Sequence, residues 1–311
     1  MSQVAGQSNG TFAVVVNWNG GDDNLTCVAS LRSEGFVESQ VILVDNASSD
    51  GSIERLVTEY PDLQVLRNES NEGYGHGVNK GVARALELGA SRVLLVNNDL
   101  SFEPGAVKVL EERLDEAPTV GIVGPRIVYR KRPGTIWSAG AVMTYRQNLS
   151  TLLGHGKPDG PKYQSTLAVD YVAGAALLAR REVFEQAGFL DGDYFAYHED
   201  LEFCLRAGEF GYGVECVGAA LAHHDAHAST GGGYNRRRKY MMAVNSVRFL
   251  RQHGTVYRWL SFFAFDIATL PLVWLLRAPR GEGAAVTAKA LGTWHGLLGR
   301  RVDAEVVRAL G

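Results

Sequence analysis

The sequence predicts an α/β fold in which a mostly parallel, doubly wound, Rossmann-like sheet is followed by a helical C-terminal extension. Short apolar runs alternate with helix-length segments between residues 12 and 123, and short loops join them, which is typical of parallel sheets with helices on both faces. Several apolar runs end in Asn or Asp at the same relative place. A basic, aromatic-rich segment begins near residue 231, so we divide the chain into 1–230 and 231–311.

Local signals along the chain define the individual elements. Apolar runs predict buried strands, and capping residues or Pro at the start of a periodic stretch predict helices. The predicted strands are 12–16, 41–44, 64–67, 92–100, 121–123 and 211–218. The predicted helices are 24–34 with Asn24 as its cap, 53–60, 77–88, 104–116 opened by Pro104, 181–187, 199–208 and 236–253. Between 129 and 167 the alternation stops, and we expect antiparallel edge strands that complete a second substrate pocket.

The stretch 92–100 organises the chain, because its apolar run ends abruptly in Asn97, Asn98 and Asp99. Such a run predicts a strand that is buried on both faces. The polar triplet then lies at the carboxyl end of the sheet, where open α/β folds bind their ligands. A carboxylate among amides at that place is typical of a hard-cation ligand that faces a phosphate.

Three other polar loops follow strands or connect them to helices. They contain Asn17, Trp18 and Asn19, then Asp45, and then a glycine-rich stretch from Asn71 to Gly77. Each loop alone indicates only a tight turn, since Asn, Asp and Gly favour turns whether or not a ligand binds. Together they would line one edge of the sheet, where a nucleotide could lie.

Glu199 and Asp200 lie in the first turn of a predicted helix, after a run rich in aromatic side chains. Carboxylates in that position stabilise the helix dipole, which is sufficient reason for their presence. A partly desolvated carboxylate is also a better base, because burial raises its pKa. The residues themselves leave both interpretations open.

The segment 219–229 contains His223, His224 and His227. We expect it to be a loop, and a histidine cluster in a loop is more often surface decoration than a metal site. Metal binding would require a carboxylate that converges on the imidazoles, which Asp99 could supply.

Composition narrows the classes of protein that the chain can belong to. It has 311 residues, 46% of them hydrophobic and 21% charged, as in ordinary globular proteins. The three cysteines fit neither a disulfide framework nor a thiolate zinc site, and Met1 to Thr11 does not resemble a secretory signal, so we expect a cytoplasmic protein.

The two parts of the chain carry net charges of opposite sign. From Gly231 onward 13 Lys and Arg stand against 4 Asp and Glu, a net charge of +9, which leaves −12 for residues 1–230. The acidic body argues against nucleic-acid binding, whereas the basic tail suits an anionic membrane surface. The stretch 256–276 is long enough to span a bilayer, but Arg258, Asp266 and Pro271 interrupt it, so we favour helices that lie on the inner face of the membrane. Packing against the 1–230 domain or against the partner in a homodimer is the alternative.

These motifs together resemble glycosyltransferase family 2, the inverting nucleotide-sugar transferases of the GT-A fold, and especially their rhamnosyltransferase-like branch. The resemblance covers residues 12 to about 250 in the family's order. It is carried by the stretches 14–20, 44–52, 71–79, 95–99, 174–181 and 195–206.

The resemblance implies a role for each matching position. Asp200, with Glu199 before it, matches the catalytic base, and Asp99 matches the ligand of the Mg²⁺ or Mn²⁺ that bridges the donor diphosphate. The family's first Asp in that motif is Asn97 here. His224 matches a further metal contact, with His223 as the alternative by one register. The nucleotide-binding positions are Asn17, Trp18, Asn19, Asp45, Asn71, Gly73, Gly77, Asn79, Asn97 and Asn98.

The sequence therefore predicts an inverting, metal-dependent glycosyltransferase that uses a nucleotide-sugar donor, with dTDP-rhamnose as the first choice and a UDP-hexose or UDP-galactofuranose as the alternative. The acceptor would be a lipid-linked or polysaccharide hydroxyl in cell-envelope glycan synthesis. Two other functions stay open, a non-catalytic nucleotide-sugar-binding scaffold and a nucleotidyltransferase. The latter would need a basic, glycine-rich phosphate loop, and residues 17–23 contain no Lys or Arg.

Overall fold

The computed structural model describes residues 10–146, 148–225 and 234–310, and a large mixed sheet forms the centre of the molecule. The strands are β1 (Thr11–Asn17), β2 (Val41–Asp45), β3 (Gln64–Arg67), β4 (Arg92–Asn97), β5 (Leu100–Phe102), β6 (Val120–Tyr129), β7 (Ile136–Ser138), β8 (Ala141–Met143), β9 (Ser150–Leu152), β10 (Thr166–Ala168), β11 (Ala176–Arg180) and β12 (Gly213–His224). The α-helices are α1 (Asp23–Ser33), α2 (Ser52–Glu59), α3 (Tyr74–Glu87), α4 (Ala106–Glu116), α5 (Arg181–Ala187), α6 (Glu199–Glu209), α7 (Arg236–His253), α8 (Val256–Phe262), α9 (Leu270–Arg277), α10 (Gly283–Leu297) and α11 (Ala304–Ala309).

The sheet consists of a parallel half and a mixed half. Its order is β10-β12-β6-β11-β4-β1-β2-β3, and β5 and β7 pair with β12 and β6. Strands β3, β2, β1 and β4 are parallel, whereas β11 runs antiparallel between β4 and β6. The predicted α/β fold is confirmed, and its sheet is mixed beyond β4. The carboxyl ends of β1, β2 and β4 meet at one edge.

The packing of helix α3 shows why the sequence needs glycine beneath the first strand. A Cβ atom on Gly81 would lie 2.3 Å from Val14 Cγ1, and one on Gly77 would lie 3.0 Å from Val16 Cγ1. The two glycines therefore let α3 approach β1 closely, and Val14, Ile42 and Val44, on this face of the sheet, are almost completely buried beneath it.

Two local predictions are wrong. Helix α1 begins at Asp23, and the Asn24 side chain does not cap it but donates to Asn17 Oδ1 at 2.8 Å. Strand β12 continues to His224, so His223 and His224 lie in a strand rather than in the expected loop. His227, the glycine joint at 231–233 and the domain boundary at 230 lie outside the described residues.

The C-terminal helices pack on the sheet domain and on one another. Val247, Phe249 and Leu250 of α7 belong to the same apolar core as strands β1, β2 and β4. One helical stretch, Val256–Arg280, has the length and composition of a membrane span, and only 11% of its most apolar window is buried. Most apolar side chains of this stretch are therefore exposed, whereas Phe262 is buried in the core of the sheet domain. The membrane contact and the homodimer both stay predictions.

Candidate active site

Asn17, at the end of β1, joins three of the predicted polar loops. Its side chain is fully buried. The amide nitrogen lies 2.9 Å from Ser48 Oγ and 3.3 Å from Asp45 Oδ1, and its oxygen accepts hydrogen bonds from the Gly20 backbone and from Asn98. The loops after β1, β2 and β4 are thus held in one arrangement through a single amide group, as expected when buried polar groups satisfy one another.

A cavity of about 570 Å³ opens at this edge of the sheet. Predicted site residues from distant parts of the chain meet there. Those that line the cavity are Trp18, Asn71, Gly73, Asn97, Asn98, Asp99, Glu199, Asp200 and His224. The size and the mixed apolar and polar lining are those of a small-molecule site.

The remaining predicted nucleotide-binding residues do not line the cavity but hydrogen-bond to or pack against neighbouring segments. Asn19 Oδ1 accepts from the Ser49 backbone at 2.8 Å, and buried Asp45 accepts from the Ser48 backbone at 3.2 Å. Gly77 packs under β1. Asn79 forms two hydrogen bonds with the backbone of Leu190, at 2.8 and 3.0 Å. Direct contact of these four residues, and of Asn17, with a nucleotide remains a prediction.

Asp99 and His224 form a buried pair on one wall of the cavity. His224 Nε2 donates to Asp99 Oδ1 at 2.9 Å, and the imidazole packs edge-on against Trp137 at 4.5 Å between ring centroids. His223, which points to the other face of β12, instead contacts Glu103 at 2.6 Å. Because side chains alternate along a strand, the structure places His224 rather than His223 beside Asp99.

A hydrogen bond from His224 keeps Asp99 ionised despite its burial. Burial alone would raise the pKa of this carboxyl, but the hydrogen bond and charge of His224, together with the charge of Arg130, lower it below its usual value. Asp99 therefore presents a carboxylate to the cavity at neutral pH.

A strained segment leads into the two acidic residues on another wall. Phe195, Tyr197 and His198 have φ angles of 62°, 72° and 77°, a region that bulky residues rarely adopt. The amide nitrogen of Asn245 on α7 lies 2.8–2.9 Å from the carbonyl oxygens of Tyr194, Ala196 and Tyr197. Helix α7 thus holds the backbone that aims the first turn of α6 into the cavity.

Glu199 and Asp200 have different surroundings. Asp200 accepts hydrogen bonds from the backbone N–H groups of Gly174 and Leu201, both at 2.8 Å. Glu199 Oε2 is buried and has no hydrogen-bond partner among the described residues. Burial, and secondly the charge of Asp200, raises the pKa of Glu199 to about 8. Burial also raises the pKa of Asp200, although its two backbone hydrogen bonds oppose the shift.

Sequence reasoning missed two residues that connect these features. The Tyr74 hydroxyl donates to the Gly174 carbonyl at 2.7 Å. Burial raises the pKa of Tyr74 well above its usual value, and the charges of Glu199, Asp200 and Asp99 add to the shift. Tyr74 lines the cavity, and the backbone N–H of the same Gly174 donates to Asp200. Asn245 is the second, and its position in a basic helix gave no signal of its contacts. Tyr74 lies inside the glycine-rich stretch 71–77, and the glycines of that stretch predict a turn without indicating a role for the phenol.

Comparison with known proteins identifies the family. The sequence profile of Glycosyl transferase family 2 matches residues 13–188. The chain belongs to glycosyltransferase family 2. It is a glycosyltransferase, and its matched region holds Asn17, Asp45 and Asp99.

The relatives of this family 2 chain include rhamnosyltransferases. It is 31% identical over 236 residues to the N-acetylglucosaminyl-diphospho-decaprenol L-rhamnosyltransferase of Mycobacterium tuberculosis, which covers 70% of this chain and 76% of that protein. It is 22% identical to the dTDP-rhamnosyl transferase RfbF of Shigella flexneri, over 66% of each chain. The fold is shared with the mannosyltransferase PcManGT of Pyrobaculum calidifontis, solved with GDP-Man and Mn²⁺, at a TM-score of 0.59 and 15% identity, covering 94% of this chain and 90% of that one.

The site fits a divalent cation whose coordination shell is completed by the substrate. Among the described residues there is no group of three or more His, Cys, Asp and Glu side chains that could hold a metal by itself. Asp99 offers an ionised carboxylate, and buried His224 Nδ1 has no hydrogen-bond partner in the part of the chain that the structure describes. Mg²⁺ and similar ions commonly bind through one or two protein groups and take their other oxygens from phosphates and water. Asp99 and His224 are the residues that would hold it.

Proposed function

We propose that this family 2 enzyme transfers L-rhamnose from dTDP-rhamnose, with inversion, to a sugar hydroxyl of a diphosphate-linked lipid. The observation that carries the proposal is one cavity shared by the Asp99–His224 pair and the Glu199–Asp200 pair. Rhamnosyltransferases among the relatives support the donor sugar, and the Mycobacterium tuberculosis relative supports the class of acceptor. A UDP-hexose or UDP-galactofuranose donor is the alternative.

The two pairs suit the two halves of a glycosyl transfer. A bound Mg²⁺ or Mn²⁺ would neutralise the negative charge that develops on the leaving diphosphate. Asp200 is placed to accept the proton of the acceptor hydroxyl, because its carboxylate lines the cavity and two backbone N–H groups fix its orientation. A single displacement inverts the anomeric carbon and requires no covalent sugar–enzyme intermediate.

Donor turnover tests this proposal. Purified protein is incubated with Mn²⁺, a short prenyl-diphosphate N-acetylglucosamine acceptor and a panel of dTDP-, UDP- and GDP-sugars, and release of nucleoside diphosphate is followed. We expect release from dTDP-rhamnose and its loss with EDTA. Asp99→Ala and Asp200→Asn should each lower kcat by about 10²-fold or more, as expected for a charge-stabilising group and a general base.

The matched control is Asp62→Asn, which changes an exposed carboxylate outside the cavity and should leave kcat unchanged. Full activity of either Asp99→Ala or Asp200→Asn would refute the assigned roles. Binding of dTDP-rhamnose without turnover would instead favour the scaffold function, and turnover of a UDP-sugar alone would correct the donor.

We also propose that the enzyme works at the inner face of the membrane. Large apolar side chains of the helices α8 to α10 are 43–78% exposed. They are Val256, Tyr257, Leu260, Phe263, Phe265, Leu272, Trp274, Leu275, Leu276, Leu291, Trp294 and Leu298. The arginines around them, with the net charge of +9 beyond residue 230, favour an anionic lipid surface over a second copy of the same basic face.

A further inference from the structure

Two arginines on the first turn of α7 extend the cavity beyond the residues already assigned. Arg237 and Arg238 both line it, next to the wall that holds Tyr197 and Asp200. The helix is capped by Asn235, whose Oδ1 accepts from the Arg238 backbone at 2.8 Å. Both side chains are half-buried, and their buried Nε atoms have no hydrogen-bond partners among the described residues.

Three other arginines of the C-terminal helices differ from these cations, because each pairs with a carboxylate. Arg248 pairs with Asp191 at 2.7 Å, Arg277 with Glu282 at 2.7 Å, and Arg301 with Asp193 at 2.7 Å. Within residues 10–146, 148–225 and 234–310, neither Arg237 nor Arg238 lies within ion-pair distance of a carboxylate. Two partly desolvated guanidinium groups without a counter-ion are costly unless a ligand supplies the negative charge.

The position of Arg238 within the cavity indicates which part of a substrate it faces. Its guanidinium lies 5.8 Å from the centroid of the Tyr197 ring. Tyr197 lies just before His198 and Glu199 in the chain, so Arg238 lies on the side of the cavity that holds the Glu199–Asp200 pair. Asp99, which we assign to the donor side, is instead hydrogen-bonded to His224 at 2.9 Å.

The next turn of α7 contributes apolar surface to the same wall. Met241 and Met242, about one helical turn after the two arginines, also line the cavity. Methionine side chains adapt to irregular apolar ligands, so this wall combines a binding site for negative charge with a flexible apolar surface. A polyprenyl diphosphate has both features, with its phosphates at one end of an isoprenoid chain.

We propose that Arg237 and Arg238 bind the diphosphate of the lipid-linked acceptor and that Met241 and Met242 contact its first isoprene units. This inference rests on the proposed function for the class of acceptor. Planar guanidinium groups bind phosphate oxygens in a bidentate way, which holds the acceptor at a fixed distance from the base. The arginines would thus position the sugar hydroxyl at Asp200 without contacting the reacting atoms.

Steady-state kinetics of the full chain test the assignment. The variants are Arg237→Gln, Arg238→Gln and their combination, and the acceptors are farnesyl-diphospho-N-acetylglucosamine and the phosphate-free octyl N-acetylglucosaminide. We expect the double variant to raise KM for the diphosphate acceptor by roughly 10- to 100-fold, as for loss of charge-assisted hydrogen bonds. The KM for the nucleotide sugar and the kinetics with octyl N-acetylglucosaminide should stay within about 2-fold.

Arg236→Gln is the matched control, since Arg236 lies on the same turn, is exposed and does not line the cavity. If this variant raises the acceptor KM as much as the others, the effect is one of general charge and the assignment fails. A raised KM for the nucleotide sugar with an unchanged acceptor KM would assign the arginines to the donor and overturn the inference.

A binding measurement keeps this inference separate from the proposed function. Calorimetry with farnesyl diphosphate, in the presence of saturating dTDP, should show weaker binding to the double variant than to the wild type and to Arg236→Gln. If the wild type transfers no sugar to any acceptor, the proposed function fails, but the binding result still decides the assignment. Equal binding to all variants would refute the diphosphate subsite.

Discussion

At the scale of single residues, the two adjacent carboxyl groups of α6 differ in how readily each holds a proton. Glu199 is buried with an unpartnered Oε2, and burial together with the charge of Asp200 raises its pKa to about 8. Asp200 keeps two backbone hydrogen bonds that favour its ionised form. With a pKa of about 8 Glu199 holds a proton at neutral pH, whereas the backbone hydrogen bonds of Asp200 favour its carboxylate form, which supports the proposal that Asp200 is the base.

The proton on Glu199 makes stability depend on pH. The unfolded chain releases it near pH 4.5 and the folded protein near pH 8, so the free energy of unfolding falls as pH rises between these values, by up to about 1.4 kcal/mol per pH unit. Urea unfolding of the wild type and of Glu199→Gln at pH 5.5, 6.5 and 7.5 measures this. We expect the stability of the wild type relative to the variant to decline with rising pH. The same comparison with Glu182→Gln, an exposed position, should show no trend, and a flat difference for Glu199→Gln would contradict the assignment.

Sequence reasoning found the acidic residues of the site but not the groups that hold them. Asp99 was predictable because a buried strand ends directly before it, and Asp200 because it opens a helix after an aromatic run. Asn245 was not, since the carbonyl groups that it contacts lie 48–51 residues earlier in the chain. Its contacts exist only once α7 has packed on the core.

At the scale of elements, the strained segment before α6 depends on helix α7. The positive φ angles of Phe195, Tyr197 and His198 each cost roughly 1–3 kcal/mol, which the surrounding contacts must offset. Asn245 supplies donors to three carbonyl groups of this segment, and Ser246 Oγ lies 3.1 Å from His198 Nε2. The geometry of the Glu199–Asp200 pair is therefore set from outside its own helix.

Removing the Asn245 amide should relax this segment. In Asn245→Ala we expect kcat to fall by about 10-fold or more, because a small displacement of a catalytic group is costly, and the free energy of unfolding to fall by about 1–3 kcal/mol. The KM for the nucleotide sugar should change little. Ser246→Ala, which removes one hydroxyl on the same face of α7, is the milder control. An unchanged kcat in Asn245→Ala at full occupancy would show that α7 does not position the acidic pair.

The direction of a strand relative to its neighbours is a second feature that sequence patterns do not reveal. The apolar run in β4 correctly predicts a buried strand, but a run buried on both faces looks the same whether its neighbour is parallel or antiparallel. The antiparallel insertion of β11 between β4 and β6 was therefore invisible in the sequence. The length of β12 was underestimated because its small and polar residues after Gly218 resemble a loop.

At the scale of the whole molecule, the exposed apolar stretch is fixed to the wall of the cavity. Buried Asp266, in a π-helical turn between α8 and α9, pairs with Lys289 of α10 and accepts from the Asn148 backbone at 3.3 Å. Asn148 itself lines the cavity. Because the middle of the stretch is tied in this way to the catalytic domain, it is better suited to lie on a membrane than to cross one. A bilayer against this face would bring lipid-linked acceptors to the mouth of the cavity.

Vesicle binding tests this arrangement. The wild-type protein should co-sediment with vesicles that contain phosphatidylglycerol, and less with pure phosphatidylcholine or at high salt, because anionic lipid attracts the basic helices. Leu260→Glu and Leu272→Glu, at positions 63% and 61% exposed, should weaken binding by about 10-fold each, since a charge replaces a leucine side chain in the lipid contact. Leu88→Glu, an exposed leucine on the catalytic domain, should bind as the wild type does. A stable dimer that both variants dissociate, with no vesicle binding by the wild type, would instead assign this face to a second copy of the chain.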